Sequence, residues 1–218
     1  LPVGVSNIYG ITEGGGGGLF NLYPEDVLRK PGSIGKPTFG VEGKIVDIKG
    51  DELPPGEVGE LVFSTPRMMK GYFKNEEMTR EGLKDGWLYT GDLLQTDEEG
   101  FFYIVDRKKD MITSGGENIF PVEIEDALME HPKIDDVACI GHPDERLVEV
   151  VMAIVQLKEG ETMTEEEVLE FGKTKLAKYK LPRKVLFDNV MRNPTGKLMK
   201  PQMREKYTGR KEAFQKLN

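Results

Sequence analysis

Four groups of side chains in this sequence are of types that handle nucleotides. Tyr9-Gly10-Ile11-Thr12-Glu13 sets an aromatic ring, a hydroxyl and a carboxylate within five positions. Such a set can stack on a base, hydrogen-bond a phosphate and ligate Mg²⁺, although most runs of this kind are plain turns. Asp92 follows Tyr89-Thr90-Gly91. One carboxylate can accept two hydrogen bonds from a cis-diol, which is how acidic residues hold ribose; the competing reading is an exposed turn aspartate. Arg107 lies fifteen positions further on. It can donate to the same ribose or to a phosphate, or form a surface ion pair of little worth. Lys197 ends Asn193-Pro194-Thr195-Gly196-Lys197. The glycine spacing of a phosphate-binding P-loop is absent there, so alone it reads as a solvated lysine on a turn.

The elements that must position these groups fall on either side of one stretch, residues 100–121. Phe101-Phe102-Tyr103-Ile104-Val105 is a strand pattern. Five consecutive charges follow, Asp106-Arg107-Lys108-Lys109-Asp110, and they cannot all be buried. Then come Met111-Ile112, Ser114-Gly115-Gly116 and Pro121, which can open a helix. A charged joint between apolar patterns reads as a domain boundary. The Gly-Gly pair reads either as backbone that something approaches closely or as an ordinary hairpin turn.

Ahead of the joint, residues 7–13 are a strand end running into a turn. The glycines at 14–18 lack the serines of a flexible linker and are bracketed by Thr12-Glu13 and Leu19-Phe20; they look chosen to give a ligand space. Pro31-Gly32-Ser33-Ile34-Gly35-Lys36-Pro37 reads as loop. From residue 40 to 105, short strands alternate with turns such as Pro54-Pro55-Gly56, which suggests a small antiparallel barrel or sandwich. A short helix is predicted at 79–83, and the apolar run ending in Leu93 delivers Asp92. Past the joint the pattern is compact α+β. A helix at 121–130 turns Val122, Ile124, Ala127 and Leu128 inward. Strands follow at 137–141 and 148–157. Thr164 and Glu167 form a capping box for a helix expected to reach about Tyr179, and a last strand covers 185–187. The polar tail, 207–218, is expected to fray.

A net charge of −8 over 218 residues argues against a nucleic-acid binder driven by bulk charge. The single cysteine, Cys139, excludes an internal disulfide framework and fits a reducing compartment, hence the cytoplasm. No apolar run reaches transmembrane length. The chain starts at Leu1 and is within a structured pattern by Ile8, so it reads as a piece of a longer protein.

Taken in order, Tyr-Gly-x-Thr-Glu, Tyr-Thr-Gly-Asp, Asp-Arg-Lys-Lys-Asp, Ser-Gly-Gly-Glu-Asn and Pro-Thr-Gly-Lys closely resemble the adenylate-forming superfamily, and within it the acyl-CoA synthetases. The resemblance spans nearly the whole chain. It implies activation of a carboxylic acid by ATP to an acyl-adenylate, then transfer to coenzyme A with release of AMP. It also implies a mixed α+β fold in two parts. Residues 1–109 would be the end of the large AMP-binding domain with its small distorted antiparallel β-barrel, and 110–218 a mobile α+β lid. Lys109 would be the hinge.

By this resemblance Tyr9 stacks on adenine, with Asn7 near its amino group and Gly10 beside it. Thr12 reaches the phosphate and Glu13 binds Mg²⁺. Asp92 accepts both ribose hydroxyls, supported by Arg107. Lys197 bridges the reacting carboxylate and the α-phosphate. Gly115 and Gly116 border the pantetheine tunnel. Tyr179 would stack on the adenine of coenzyme A with Lys180 and Arg183 near its phosphates, a cluster of bases around one ring on an acidic chain. The partners implied are ATP or AMP, a carboxylic acid, coenzyme A and the missing N-terminal portion of the same chain; a homodimer is compatible with the sequence.

Two positions depart from the family pattern: Asp106 stands where glycine is common, and Met191 where proline is. The glycines at 14–18 are expected to leave room for a bulky or long acyl chain, so the acid would be fatty or aromatic. The piece alone should lack ligase activity. The rival readings are an adenylating enzyme that loads a carrier protein and a non-catalytic nucleotide-binding module.

Overall fold

Turns rich in Gly and Pro cut the first half of the chain into short strands, which pair into one antiparallel sheet. The computed structural model describes residues 4–209. The strands are β1 (Ile8–Gly10), β2 (Gly18–Phe20), β3 (Ser33–Pro37), β4 (Glu42–Val46), β5 (Gly59–Ser64), β6 (Leu83–Lys84), β7 (Trp87–Thr96) and β8 (Phe102–Arg107), with α1 (Pro24–Arg29) before β3 and α2 (Glu76–Gly82) before β6. They pair in the order β1-β2-β3-β8-β7-β5-β4, with β6 beside β7. The path is open: β4 does not return to β1 among the described residues, so the expected barrel is not closed. Leu19, Ile45, Leu61, Phe63, Leu88, Leu94 and Phe102 meet in one buried cluster on this sheet.

Two readings fail here for identifiable reasons. Residues 31–37 are not all loop, since β3 pairs with both β2 and β8. Ser33 Oγ donates to Phe102 O at 3.1 Å, and Gly35, at φ +91°, lies so close to β2 that a Cβ would overlap the Phe20 carbonyl. The second failure is the glycine run. A Cβ at Gly14 would lie 2.7 Å from Phe63 Cζ and one at Gly17 3.1 Å from Thr65 Cγ2. At Gly15 and Gly18 it would overlap the carbonyls of Arg67 and Tyr9; only at Gly16 is the space open. The chain itself, not a ligand, takes the room that four of these five glycines leave.

The chain divides into two compact units, Leu1–Lys109 and Asp110–Asn218. The second contains β9 (Ile112–Ser114), β10 (Glu117–Ile119), α3 (Pro121–Met129), β11 (Ile134–Asp144), β12 (Val148–Leu157), α4 (Glu165–Lys173), β13 (Lys184–Phe187) and α5 (Lys200–Thr208). β12 is central: it pairs antiparallel with β11 and β9 and parallel with β13. Side chains alternate along a strand, so Val137 and Cys139 join a cluster with Ile124 and Leu128 of α3 and Val168 of α4, while Ala138 and Ile140 join one with Met203 of α5. Apolar layers on both faces explain why the middle of β12, Val150 to Val155, is an unbroken apolar run.

α4 opens on the expected capping box, Glu167 N to Thr164 Oγ1 at 3.2 Å and Thr164 N to Glu167 Oε2 at 2.7 Å. It ends at Lys173, not near Tyr179, which belongs to a separate 3₁₀ turn, Lys178–Lys180. The tail does not fray from Tyr207: that residue lies in α5 and its hydroxyl donates to Asp188 Oδ2 at 2.7 Å. The rest of the tail, 210–218, lies outside the described residues. No helix among the described residues is long and apolar enough to cross a membrane.

Candidate active site

The hairpin of β7 and β8 explains the fifteen-residue spacing of the first pair, because Asp92 and Arg107 are directly opposed in its register. Arg107 Nε lies 3.5 Å from Asp92 Oδ1. The other carboxylate oxygen accepts from Tyr9 Oη at 2.6 Å, across 83 positions of sequence. Burial first, and then the hydrogen bond to Asp92, push the Tyr9 phenol well above the usual tyrosine range. Tyr9 therefore remains a neutral donor at any physiological pH. Asp92 is also fixed from behind, its backbone N–H donating to Thr90 Oγ1 at 3.1 Å, while that hydroxyl donates to Leu61 O at 2.8 Å.

Asp92, Arg107, Lys109, Glu13 and Ile11 line one cleft of about 530 Å³ in the first unit. Glu13 sits in a 3₁₀ turn, Thr12–Gly14, directly after β1. Its Oε1 accepts from Tyr72 Oη at 2.9 Å, and burial plus that carboxylate raise the Tyr72 phenol to about 12. Thr12 is exposed, and neither it nor Gly10 lines the cleft. Asn7 is exposed too, and its Nδ2 donates to Ser33 O at 3.0 Å. No group of three or more His, Cys, Asp or Glu among the described residues could cage a metal. A single carboxylate fits Mg²⁺, which is held largely by phosphates and water.

The joint sorts its charges. Asp106 and Asp110 are buried, whereas Arg107, Lys108 and Lys109 are exposed. Asp110 is held by Arg204 of α5 at 2.6 Å. Lys108 pairs with the buried Glu60 at 2.8 Å, and the other Glu60 oxygen accepts from Gly91 N at 3.0 Å.

In the second unit, Gly115 and Gly116 are the two central residues of the tight β9–β10 turn, at φ +60° and +90°. Positive φ at both positions is what a two-residue hairpin of this type requires, so the hairpin reading suffices for the glycines. Tyr179 is 51% exposed. Lys180 Nζ is held by both Glu123 oxygens at 2.6 Å and lies 5.6 Å from the Tyr179 ring centre. Arg183 is exposed. Lys197 is exposed on its turn, and among the described residues no ion pair engages its ammonium. The turn is well tied: Asn193 N donates to Lys197 O at 2.9 Å, and Asn193 Oδ1 accepts from Lys197 N at 2.9 Å and Thr195 N at 3.0 Å. Met191 O accepts from Met199 N at 2.8 Å, which closes the loop's base.

Residues 1–73 match the family described as AMP-binding enzyme, and residues 123–197 match the AMP-binding enzyme C-terminal domain. The chain belongs to the AMP-binding enzymes. It is 44% identical over 204 residues to the long-chain-fatty-acid–CoA ligase FadD13 of Mycobacterium tuberculosis, covering 92% of this chain and 39% of that one. Among solved structures, ATP-bound MatB from Rhodopseudomonas palustris superposes with a TM-score of 0.85 at 37% identity, over 94% of this chain and 41% of that one. The o-succinylbenzoate CoA synthetase MenE from Bacillus subtilis, in complex with the acyl-adenylate intermediate OSB-AMP, gives 0.82 at 38% identity, over 91% and 40%. The chain thus spans about two fifths of the length of the relatives it matches.

Sequence reasoning about this AMP-binding enzyme missed Tyr72, Glu60 and Thr90, which hold the groups it did find. Glu60 left a signal. It is a charged residue beside the apolar run Leu61-Val62-Phe63 of β5, and a buried carboxylate must have partners. Tyr72 left none.

Proposed function

We propose that this chain is the C-terminal part of an ATP-dependent acyl-CoA ligase acting on a fatty or aromatic carboxylic acid in the cytoplasm. The observation that carries the reading is the convergence of Asp92 and Arg107, from two strands, on the cleft that also holds Glu13, with Tyr9 of a third strand donating to Asp92. The relatives named as acting on a long-chain fatty acid and on o-succinylbenzoate support the substrate class.

In this reading Asp92 accepts the ribose hydroxyls, Arg107 backs it, and Thr12 and Tyr9 address phosphate and adenine, with Asn7 and Gly10 beside the base. Glu13 holds Mg²⁺, which neutralises phosphate charge when bound. A carboxylate oxygen of the acid attacks the α-phosphorus and pyrophosphate leaves. Negative charge grows on the phosphoryl oxygens, and the Lys197 ammonium stabilises it most in the transition state. The thiol of coenzyme A then attacks the acyl carbonyl, loses its proton and expels AMP. Gly115 and Gly116 border the thiol's approach, while Tyr179, Lys180 and Arg183 meet the nucleotide end of coenzyme A. Residues 110–218 act as the lid and Lys109, where the units join, as its pivot.

The test uses the full-length natural chain. Acid-dependent release of pyrophosphate from ATP, followed by AMP release only when coenzyme A is added, is the expected result across a panel of fatty and aromatic acids. Acyl transfer to a carrier protein without consumption of free coenzyme A, or nucleotide binding without turnover, would replace this reading with a different one. Acceptance of acetate or propionate alone would overturn the substrate class. Residues 1–218 by themselves are expected to turn over no acid.

A further inference from the structure

The Lys197 turn is held by a side chain that none of the roles above uses. Arg192 directs Nε to Asp136 Oδ2 at 2.6 Å and Nη2 to Asp136 Oδ1 at 2.8 Å, and Nη1 to the carbonyl of Gly196 at 2.6 Å. The Asp136 side chain, near the start of β11, is 15% exposed and that of Arg192 is 42% exposed. With the arginine this open to water, the pair contributes little to stability. Its geometry does something more specific. Gly196 O and Lys197 N–H are the two polar groups of a single peptide unit. Arg192 holds the first, and Asn193 Oδ1 holds the second at 2.9 Å. The next peptide is held as well, through Lys197 O and Asn193 N. The Cα of Lys197 therefore springs from backbone that cannot rotate, with Gly196 at φ +83° supplying the left-handed step. Only the side-chain torsions of the lysine are left free.

We propose that Arg192, seated on Asp136, is a positioning residue that aims Lys197 for adenylate formation. The inference rests on the reading of Lys197 as the adenylation lysine. A planar fork with three engaged donors suits this task, because it fixes direction as well as distance. A lysine at 192 would keep the charge but could not hold Asp136 on two donors and Gly196 on a third.

In the full-length enzyme, Arg192→Ala and Asp136→Asn are each expected to slow acyl-adenylate formation about 10-fold, since small misplacements of a reacting group are costly. Pyrophosphate exchange reads this step. The same variants, given preformed acyl-adenylate and coenzyme A, should make thioester within about two-fold of the wild-type rate. Should Arg192→Ala fail to fold, Arg192→Lys serves, and the same one-sided loss is expected of it. Equal losses in both half-reactions would mean a merely structural role, and no loss in either would mean no role; both overturn the proposal. Lys197→Ala separates the two layers. If it leaves acyl-adenylate formation intact, the reading of Lys197 as the adenylation lysine fails, and the clamp with it. If it abolishes that step while Arg192→Ala and Asp136→Asn do not affect it, only the clamp fails.

Discussion

The Asp92 cleft and the Lys197 turn are both built to hold charged groups, and they do so by opposite means. In the cleft the side chains hold one another: each Asp92 oxygen has a partner, and Glu13 is met by Tyr72. On the turn the ammonium is exposed and it is the backbone that is fixed, by Asn193 and Arg192. A group that only has to bind a ground-state ligand can be satisfied in advance, with a hydroxyl pair replacing existing partners. A group that must act in the transition state is better kept uncommitted, because an ion pair would have to break at the moment of reaction. Preorganisation of the backbone supplies the aim without that penalty.

Lys197→Ala tests this contrast hardest. It should lower acyl-adenylate formation by about 100- to 1,000-fold, the range for removing one preorganised transition-state donor, with KM for ATP little changed. Thioester formation from added acyl-adenylate should persist. A large rise in KM with an unchanged kcat would place the lysine in ground-state binding and erase the difference between the two regions.

Asp92→Asn comes next. Removing a charged acceptor from a hydrogen-bonded diol costs about 1.5–3 kcal/mol, or roughly 10- to 100-fold in affinity for ATP. The loss should appear in KM for ATP, read by initial-rate kinetics, because the ribose contact is alike in ground and transition states. A loss confined to kcat would contradict the assignment.

What the sequence made legible follows the range over which each constraint acts. β12 was readable because burial on both faces leaves a continuous apolar run along its middle, from Val150 to Val155. The capping box of α4 was readable because its two bonds span three residues. Asp92, Arg107, Glu13 and Lys197 stood out by side-chain type and motif. β3 was hidden by its glycine and proline, since the pairing that makes it a strand comes from β2 and β8. α5 was hidden by its polarity. It is tied down by Met203 in the core and by Lys200, whose ammonium lies buried 2.8 Å from Glu125, itself an acceptor for Cys139 N at 2.7 Å. No local pattern announces a buried ion pair between residues so far apart in sequence.

The glycine run gives a mid-sized effect and shows how tightly the segment after Glu13 is packed against its neighbours. Gly15→Ala or Gly18→Ala would force a methyl onto a backbone carbonyl, so each should destabilise by about 3 kcal/mol or more. Gly16→Ala meets no atom within 4 Å and carries only its φ of +79°, a strain of about 1–2 kcal/mol. Denaturant unfolding distinguishes the two. Equal effects at 15 and 16 would mean that the packing account of these glycines is wrong and would return the run to the ligand.

The smallest expected effect is alkaline, and it belongs to the cleft. Tyr9 and Tyr72 are both raised in the folded protein, burial being the first cause and the neighbouring carboxylates the second. A raised folded pKa means that the native state keeps a proton the unfolded chain gives up near pH 10. The stability this represents is fully present below about pH 10 and is lost as pH rises above it; for Tyr72 the loss is complete once pH passes its folded value of about 12. Ultraviolet difference titration should therefore show two phenols ionising late. Asp92→Asn should bring Tyr9 down only part of the way, because burial remains when the carboxylate is gone. Glu13→Gln should do the same for Tyr72, and more of its phenol should ionise before unfolding. A full return of either phenol to ordinary behaviour would mean that the neighbouring charge, not the packing around the half-buried ring, sets its titration.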